Sequence, residues 1–289
     1  MKLSVVIPGQ KEPLMQKTID TLLEKSELGS GIEIFAVIDG PWMEPPVGDS
    51  RVKIIQFPES RGMRAGINAG IAQTTGEFIM KCDAHCSFSQ GFDKNMVENC
   101  DDNWLLIPRR YSLDDTTWEI IKRRPTRDYH YLSFPNGGGM FPQNWGLTKE
   151  ENEIDDTMTF QGSCWVANRK FFVKYIGFLD DNPSTYGTFA AEQLEIGLKY
   201  WLGGGKVKVN KKTWYAHLFK MPRHYDSGEY FKKNSEQNKK SFGWIWATEH
   251  WMNNKEPNMI YPFEWLIEKF WPVPTWPEDK KQWRNYEIN

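Results

Sequence analysis

Cys82-Asp83-Ala84-His85-Cys86 follows almost directly on the apolar run Phe78-Ile79-Met80. The apolar run reads as a buried parallel strand. A helix-like stretch, Ala65 to Gln73, comes before it and is closed by Gly76. A helix feeding a buried strand is one unit of an open α/β sheet, and such sheets bind ligands outside the carboxyl ends of their strands. A carboxylate and an imidazole two positions apart at that end can both point off the sheet edge. One hard oxygen and one borderline nitrogen suit Mn2+ or a similar divalent ion. The plainer alternative is a surface Asp beside a hydrogen-bonded His.

Upstream, the same unit recurs. Leu3-Ser4-Val5-Val6-Ile7-Pro8 reads as a first strand, Ile32 to Gly40 as a second and Val52-Lys53-Ile54-Ile55 as a third. Leu14 to Leu23, between the first two, has helical apolar spacing. Alternation of strand and helix predicts an α/β fold, a mostly parallel sheet with helices on both faces. Asp39 stands at the end of the second strand, placed to accept hydrogen bonds from a ribose or uracil; the alternative is a turn or helix cap.

Together these residues resemble the nucleotide-sugar domain of GT-A glycosyltransferases of the family-two kind. Arg61-Gly62-Met63-Arg64-Ala65-Gly66-Ile67-Asn68-Ala69-Gly70 is similar to the segment that precedes the metal motif there. Asp83-Ala84-His85 resembles the Asp-x-His variant of the polypeptide N-acetylgalactosaminyltransferases, where Asp-x-Asp is the more usual form. Phe160-Gln161-Gly162-Ser163-Cys164-Trp165 resembles the glycine-containing strand that faces the donor sugar. Ala191-Glu192-Gln193-Leu194-Glu195-Ile196 resembles a Glu-Asn-Leu-Glu segment, with Gln193 in place of Asn. Trp214 to Lys220 resembles a His-x-x-His-x-Phe-Arg segment whose second His, here His217, is the third metal ligand. Two residues depart from that pattern: Trp214 replaces the first His and Lys220 the Arg. With no carboxyl-terminal lectin repeat either, the acceptor side of the family does not carry over.

The resemblance, over roughly residues 1–225, implies an activity and its parts. A sugar would move from a UDP-sugar to a hydroxyl acceptor, with Mn2+ or Mg2+ held by Asp83, His85 and His217. Pro8, Glu12 and Asp39 would hold the uridine. Arg64, Asn68 and Gly162 would line the donor site, and Lys220 or Arg223 would add a second cation beside the diphosphate. Glu192, Asp83 and Arg64 are the catalytic candidates. Preorganised charge against a leaving diphosphate is usually the largest catalytic contribution. Glu192 opens an amphipathic helix closed by Gly203-Gly204-Gly205. There it would touch the donor sugar or the acceptor hydroxyl, although a carboxylate in a first helical turn is favoured by the helix dipole alone. The Asp-x-His and His-x-Phe-Lys pair resembles the retaining group, so retention is expected.

At 289 residues the chain accommodates one large domain or two modest ones. The expected division is a catalytic domain over residues 1–225 and an aromatic-rich extension over residues 226–289, packed on it. No apolar run reaches about 18 residues, which argues against a membrane span. The amino terminus is already a strand rather than a signal peptide, so a cytoplasmic protein is expected. Cys82, Cys86, Cys100 and Cys164 do not form a secreted disulfide pattern. Without a paired Cys-x-x-Cys, they read as small buried thiols rather than zinc ligands.

The formal net charge is −2, which is not the signature of a nucleic-acid-binding protein. Locally the balance shifts. Lys206 to Lys240 holds ten Lys or Arg against three Asp or Glu, an excess of seven positive charges. A second cluster is Lys122-Arg123-Arg124, with Arg127 near it. Such patches suggest an anionic partner. The acceptor suggested by them is a polyanion, DNA with a hydroxylated base, reached through the Lys206–Lys240 patch. A glycan or protein hydroxyl is the other reading, and a solvated face the bland one.

From Tyr111 to Thr159 periodic signals are weak, and Pro125, Pro135, Gly137-Gly138-Gly139 and Pro142 mark loops. Seven of the 14 tryptophans fall after Ser241. Rings at this density read as a packed accessory segment; an aromatic platform that stacks sugars or bases is the alternative. Phe263 to Phe270 has helical spacing. Two further classes stand beside the transferase. A nucleotidyltransferase shares the α/β domain and metal but needs a glycine- and lysine-rich start, poorly matched by Pro8-Gly9-Gln10-Lys11. A non-catalytic sugar-nucleotide binder would have no need of all three metal-ligand candidates.

Overall fold

Apolar residues at successive positions of the first strand have to face apolar material on both sides of a sheet. The structure, a computed structural model describing residues 2–46, 48–146, 151–219 and 240–288, places that strand, β1 (Leu3–Gly9), inside the sheet between two parallel neighbours. Helix α1 (Met15–Lys25) leads to β2 (Ile32–Ile38), then β3 (Val52–Gln56), α2 (Met63–Gln73) and β4 (Phe78–Cys82). After β5 (Cys86–Phe88), α3 (Phe92–Glu98) and β6 (Trp104–Ser112) come three short strands. These are β7 (His130–Leu132), β8 (Pro142–Asn144) and β9 (Ile154–Asp156). The chain continues through β10 (Cys164–Asn168), α4 (Arg169–Tyr175), α5 (Glu192–Leu202), β11 (Lys206–His217), α6 (Lys240–Met252) and α7 (Phe263–Lys269).

Among the described residues one nine-stranded sheet runs β3-β2-β1-β4-β10-β6-β11-β5, with β9 also paired to β11. The β3-β2-β1-β4 half is parallel, as is the β6–β11 pair; β10 joins the two antiparallel to both neighbours. Alternate side chains along β1 face opposite layers. Leu3, Val5 and Ile7 pack with Met15, Ile19 and Phe92, while Val6 points to the opposite layer with Ile67 and Trp165. Helix α2 lies unusually close to β1: a Cβ on Gly70 would meet Val6 Cγ1 at 2.3 Å.

The second layer reaches into the carboxyl-terminal segment. Trp251, Phe263, Leu266, Trp276 and Trp283 belong to the same buried cluster as Val6 and Trp165. Their polar tips are met: Trp276 Nε1 donates to Leu132 O at 2.7 Å, and Trp251 Nε1 to the Tyr186 hydroxyl at 2.8 Å. Most tail tryptophans are therefore packing residues; Trp271, 38% exposed, is the exception. The expected boundary at 225/226 lies outside the described residues. No helix among the described residues is long and apolar enough to cross a membrane. All four cysteines are free and buried.

Candidate functional site

Strand β4 ends at Cys82, and Asp83 leaves the ladder by donating its backbone N–H to Ser163 O at 2.9 Å. The chain turns and returns as β5, which pairs antiparallel with the end of β11 so that Cys86 faces His217. Leu218 N then bonds His85 O at 3.1 Å. This pairing carries His217 across 134 positions to the Asp83 loop. His217 Nε2 lies 3.1 Å from Asp83 Oδ2, and His85 Nε2 lies 4.0 Å from the same oxygen. The two imidazole centroids are 4.9 Å apart, and one ligand atom from each of the three residues lies within 4.8 Å of the others.

The electrostatics match a cation site. Burial holds both imidazoles toward their neutral form; His217 is lowered to about 4 despite the pull of Asp83 in the other direction, and His85 is lowered too. Burial opposes ionisation of Asp83, but the Lys81 ammonium and His217 outweigh it and hold the carboxyl well below the usual range. The Nδ1 atoms of His85 and His217 are buried without a hydrogen-bond partner. His85 Nδ1 sits 3.4 Å from Glu12 Oε2, too poorly aligned for a hydrogen bond here but where a carboxylate orients a ligating imidazole. Two neutral nitrogens and one ionised oxygen facing a common point make a donor set that fits a divalent ion of the Mn2+ type.

Lys81 carries no motif, and its importance shows only in three dimensions. It lies on β4 two residues before Asp83, with its side chain 1% exposed. Its Nζ donates to Asp83 Oδ1 at 2.7 Å, Gly162 O at 2.6 Å and Glu192 Oε2 at 3.1 Å. The other Glu192 oxygen accepts from Trp165 Nε1 at 2.9 Å. Desolvation alone would favour a neutral lysine, yet two carboxylates hold Lys81 above the ordinary lysine value. The only signal in sequence was the same-face period of two, which puts residues 81 and 83 on one side of the sheet. Gly162 lies in the turn before β10 rather than in the strand itself, which starts at Cys164. A Cβ there would meet Glu192 Oε2 at 3.0 Å, so the bare backbone admits that carboxylate.

Other candidates are engaged differently from expectation. Arg64 is fully buried; its guanidinium donates to Asp180 O at 2.6 Å, Ala190 O at 2.7 Å and the Glu195 carboxylate. Those donors point to the α5 side, so Arg64 forms a core ion pair with Glu195 and holds the loop ahead of Glu192. Asn68 likewise clasps the backbone of Leu179 through both its amide atoms, each at 2.8 Å. Asp39 accepts from Ser60 Oγ at 2.8 Å, Arg61 N at 2.6 Å and Gly62 N at 3.0 Å, which is the turn-holding role. Pro8 lies on β1 opposite Val37. Lys220 and Arg223 lie outside the described residues, as does the Lys206–Lys240 patch from Lys220 to Lys239. Within its described part, Lys208 pairs with Asp156 at 2.7 Å and Lys212 with Glu153 at 3.6 Å. Those lysines follow the early part of β11, away from His217, and do not rim the Asp83 cluster.

Comparison with known proteins bears on the family and the fold. The model of the family described as glycosyl transferase family 2 matches residues 4–177. Polypeptide N-acetylgalactosaminyltransferase 3 of Mus musculus is 26% identical over 197 residues, covering 62% of this chain and 29% of that protein. Polypeptide N-acetylgalactosaminyltransferase 4 of Mus musculus is 22% identical over 270 residues, 81% of this chain and 43% of that protein. The chain thus spans less than half the length of these relatives. A crystal structure of GalNAc-T7 with UDP, GalNAc and Mn2+ superposes with a TM-score of 0.68 at 17% identity, covering 93% of this chain and 57% of that one. At that identity the likeness is one of fold.

Proposed function

We propose, because the chain belongs to glycosyl transferase family 2, that it is a metal-dependent glycosyltransferase moving a sugar from a UDP-sugar to a hydroxyl acceptor. The observation that carries the proposal is the meeting of Asp83, His85 and His217 at the carboxyl edge of the sheet. That GalNAc-T7 was solved with UDP and Mn2+ supports the same donor nucleotide and ion here. When bound, such an ion neutralises charge on the departing diphosphate.

The chain's own residues supply the rest. Lys81 locks Asp83 in its ionised form and fixes its orientation. Through its second carboxylate contact it also fixes Glu192 above the Gly162 turn. Glu192 has one oxygen on an ammonium and the other on an indole N–H. A carboxylate held at both oxygens is a fixed hydrogen-bond acceptor, which suits orientation of a sugar hydroxyl. That supports retention: the acceptor oxygen attacks the anomeric carbon on the face the diphosphate leaves, the bond to the β-phosphate oxygen breaks, and the acceptor proton passes to that oxygen. Asp39 shapes the nucleotide side by holding the Ser60–Gly62 turn.

For the acceptor, the pairing of Lys208 and Lys212 with acidic neighbours favours a glycan or protein hydroxyl over a polyanion. The proposed organisation remains a catalytic domain over residues 1–225 with residues 226–289 as an extension. The deciding experiment incubates the protein with a panel of UDP-sugars and hydroxyl acceptors, with and without Mn2+, and reads product mass and released UDP. Mn2+-dependent UDP release is expected. Release of pyrophosphate in a parallel reaction supplied with UTP and sugar 1-phosphates would indicate nucleotidyl transfer, and tight UDP binding with no turnover on any donor would indicate a binding protein.

A further inference from the structure

At the opposite end of β11 the structure holds a cavity of about 480 Å³ that the metal centre does not use. That volume is in the range of small-ligand sites, about 300–1,000 Å³. Its walls come from the region of weak periodicity and from the tail: Tyr129, Trp145, Asp155, Asp156, Phe270 and Trp271. We infer that it is a second carbohydrate site, one that takes a neutral saccharide ring.

The rings are the first reason. Trp271 is 38% exposed in a tail whose other tryptophans pack inward, and beside it Phe270 and Trp145 stand with centroids 6.3 Å apart. An aromatic face carries negative charge density. The C–H bonds on one face of a pyranose present the complementary partial positive charge over a flat apolar area. The carboxylates are the second reason. Each Asp oxygen can accept more than one hydrogen bond, so Asp155 and Asp156 keep acceptor capacity for hydroxyls beyond their bonds within the chain.

Charge balance selects the class. Asp156 is bridged by Lys208 at 2.7 Å and Lys269 at 2.9 Å, and Asp155 accepts from the Tyr129 hydroxyl at 2.9 Å with Lys211 Nζ at 4.0 Å. The two carboxylates face three ammonium groups, each of them already held on a carboxylate, so the wall leaves no unpaired carboxylate for a cation and no uncommitted ammonium for an anion. A neutral molecule with an apolar face and a rim of hydroxyls matches what remains. Asp156 pairs with Lys208 in the β9–β11 ladder, nine positions before His217. Because β11 bulges between Asn210 and Trp214, the neighbouring strand β6 advances only from Leu106 to Ser112 over the same span, and at about 3.3 Å per residue the cavity is roughly 20 Å along the sheet from the metal cluster. It is therefore too remote to hold the reacting sugar and suits a separate portion of a glycan-bearing molecule.

The test uses the full chain with EDTA and no nucleotide, to silence the metal centre. Methyl glycosides of glucose, galactose, N-acetylglucosamine and N-acetylgalactosamine are the probes, with methyl glucuronide as the anionic control, read by saturation-transfer NMR and calorimetry. At least one neutral glycoside should bind, and Trp271→Ala should weaken it tenfold or more. Because Trp271 leans on Trp283 at a centroid distance of 5.6 Å, Asp155→Asn, which keeps the shape, is measured alongside. Weakening in either variant with an unchanged melting temperature supports the site, provided Asp83→Ala retains parental affinity. The inference is overturned by the absence of binding to any neutral glycoside, by parental affinity in both cavity variants, by tighter binding of the glucuronide, or by loss of binding in Asp83→Ala. The last outcome would move the sugar to the metal centre and leave the transferase reading intact.

Discussion

At its carboxyl end β11 delivers His217 to a cluster in which one carboxylate oxygen faces two imidazoles, while its early residues Lys208 and Lys211 lie against Asp156 and Asp155 beside a ring-lined cavity. In the first region Lys81 holds one Asp83 oxygen, while the other faces two imidazoles whose Nδ1 atoms are unpartnered. The second has each carboxylate paired with ammonium groups of the chain and leaves aromatic surface open. Donor atoms converging on one point call for an ion; charges paired within the chain beside an exposed ring call for an uncharged ligand. The difference between the two ends of one strand is thus a difference in what each is able to recognise.

The largest effect that tests this contrast is loss of the shared ligand oxygen. Asp83→Ala is expected to remove Mn2+ binding and to reduce Mn2+-dependent UDP release at least a hundredfold, since the proposed ligand set keeps only two neutral nitrogens. Electron paramagnetic resonance of added Mn2+ reads the binding directly. Parental Mn2+ affinity in the variant would place the ion elsewhere and remove the electrostatic contrast between the two regions.

Next in size is Lys81, the buried cation that lets Asp83 and Glu192 coexist. Lys81→Met leaves two carboxylates facing each other around an apolar side chain, and breaking a buried pair from one side costs about 3 kcal/mol or more. Urea denaturation in EDTA should show that loss, and the double variant Lys81→Met with Glu192→Gln should recover part of it, because one of the stranded charges is gone. Equal stability of the two variants would mean that Glu192 does not lean on Lys81 as its 3.1 Å contact implies.

A smaller change sharpens the same picture. Gly162→Ala introduces a Cβ 3.0 Å from Glu192 Oε2. The carboxylate must retreat by a few tenths of an ångström, and UDP release is expected to fall about tenfold while stability changes by about 1 kcal/mol, at the mild end of overpacking. Unchanged turnover would show that Glu192 tolerates displacement and does not orient the reacting sugar.

The parallel half of the sheet was legible because its strands are apolar at nearly every position and separated by helical spacing. Asp83 and His85 were legible through their place at a strand end, and His217 through a motif resemblance that the β5–β11 pairing explains. Lys81 was not, because a lysine inside an apolar strand gives no local sign of the two carboxylates it will meet, one of them 111 positions away. Arg64 and Asn68 sit in the expected segment but serve Glu195 and Leu179, contacts more than 110 positions distant that no local pattern encodes. The cavity was the least legible part. Tyr129 and Trp271 come from segments without periodicity, and their common wall exists only after the tail has packed against the 128–158 region.

That packing leaves one titratable group whose behaviour separates the cavity side from the metal side at small amplitude. His130, on β7 next to Tyr129, is 7% exposed, and burial lowers it to about 3, with Arg110 and Arg127 adding to the shift. In the unfolded chain it takes up a proton near pH 6.5. The folded state therefore binds fewer protons below that value, and the contribution of the neutral ring is complete above about pH 6.5 and declines as pH falls toward 3. At pH 5.5 the loss is about 1.4 kcal/mol relative to neutral pH. His85 and His217, lowered in the same sense, add to the acid sensitivity of the parent, so the measurement is a difference. Urea midpoints at pH 7.5 and 5.5 in EDTA are compared for the parent and for His130→Gln. The variant should lose less stability on acidification by about that amount, with the metal-side histidines contributing equally to both. Parallel losses in the two proteins would mean that His130 stays accessible to protons and that the wall behind the cavity is looser than its burial indicates.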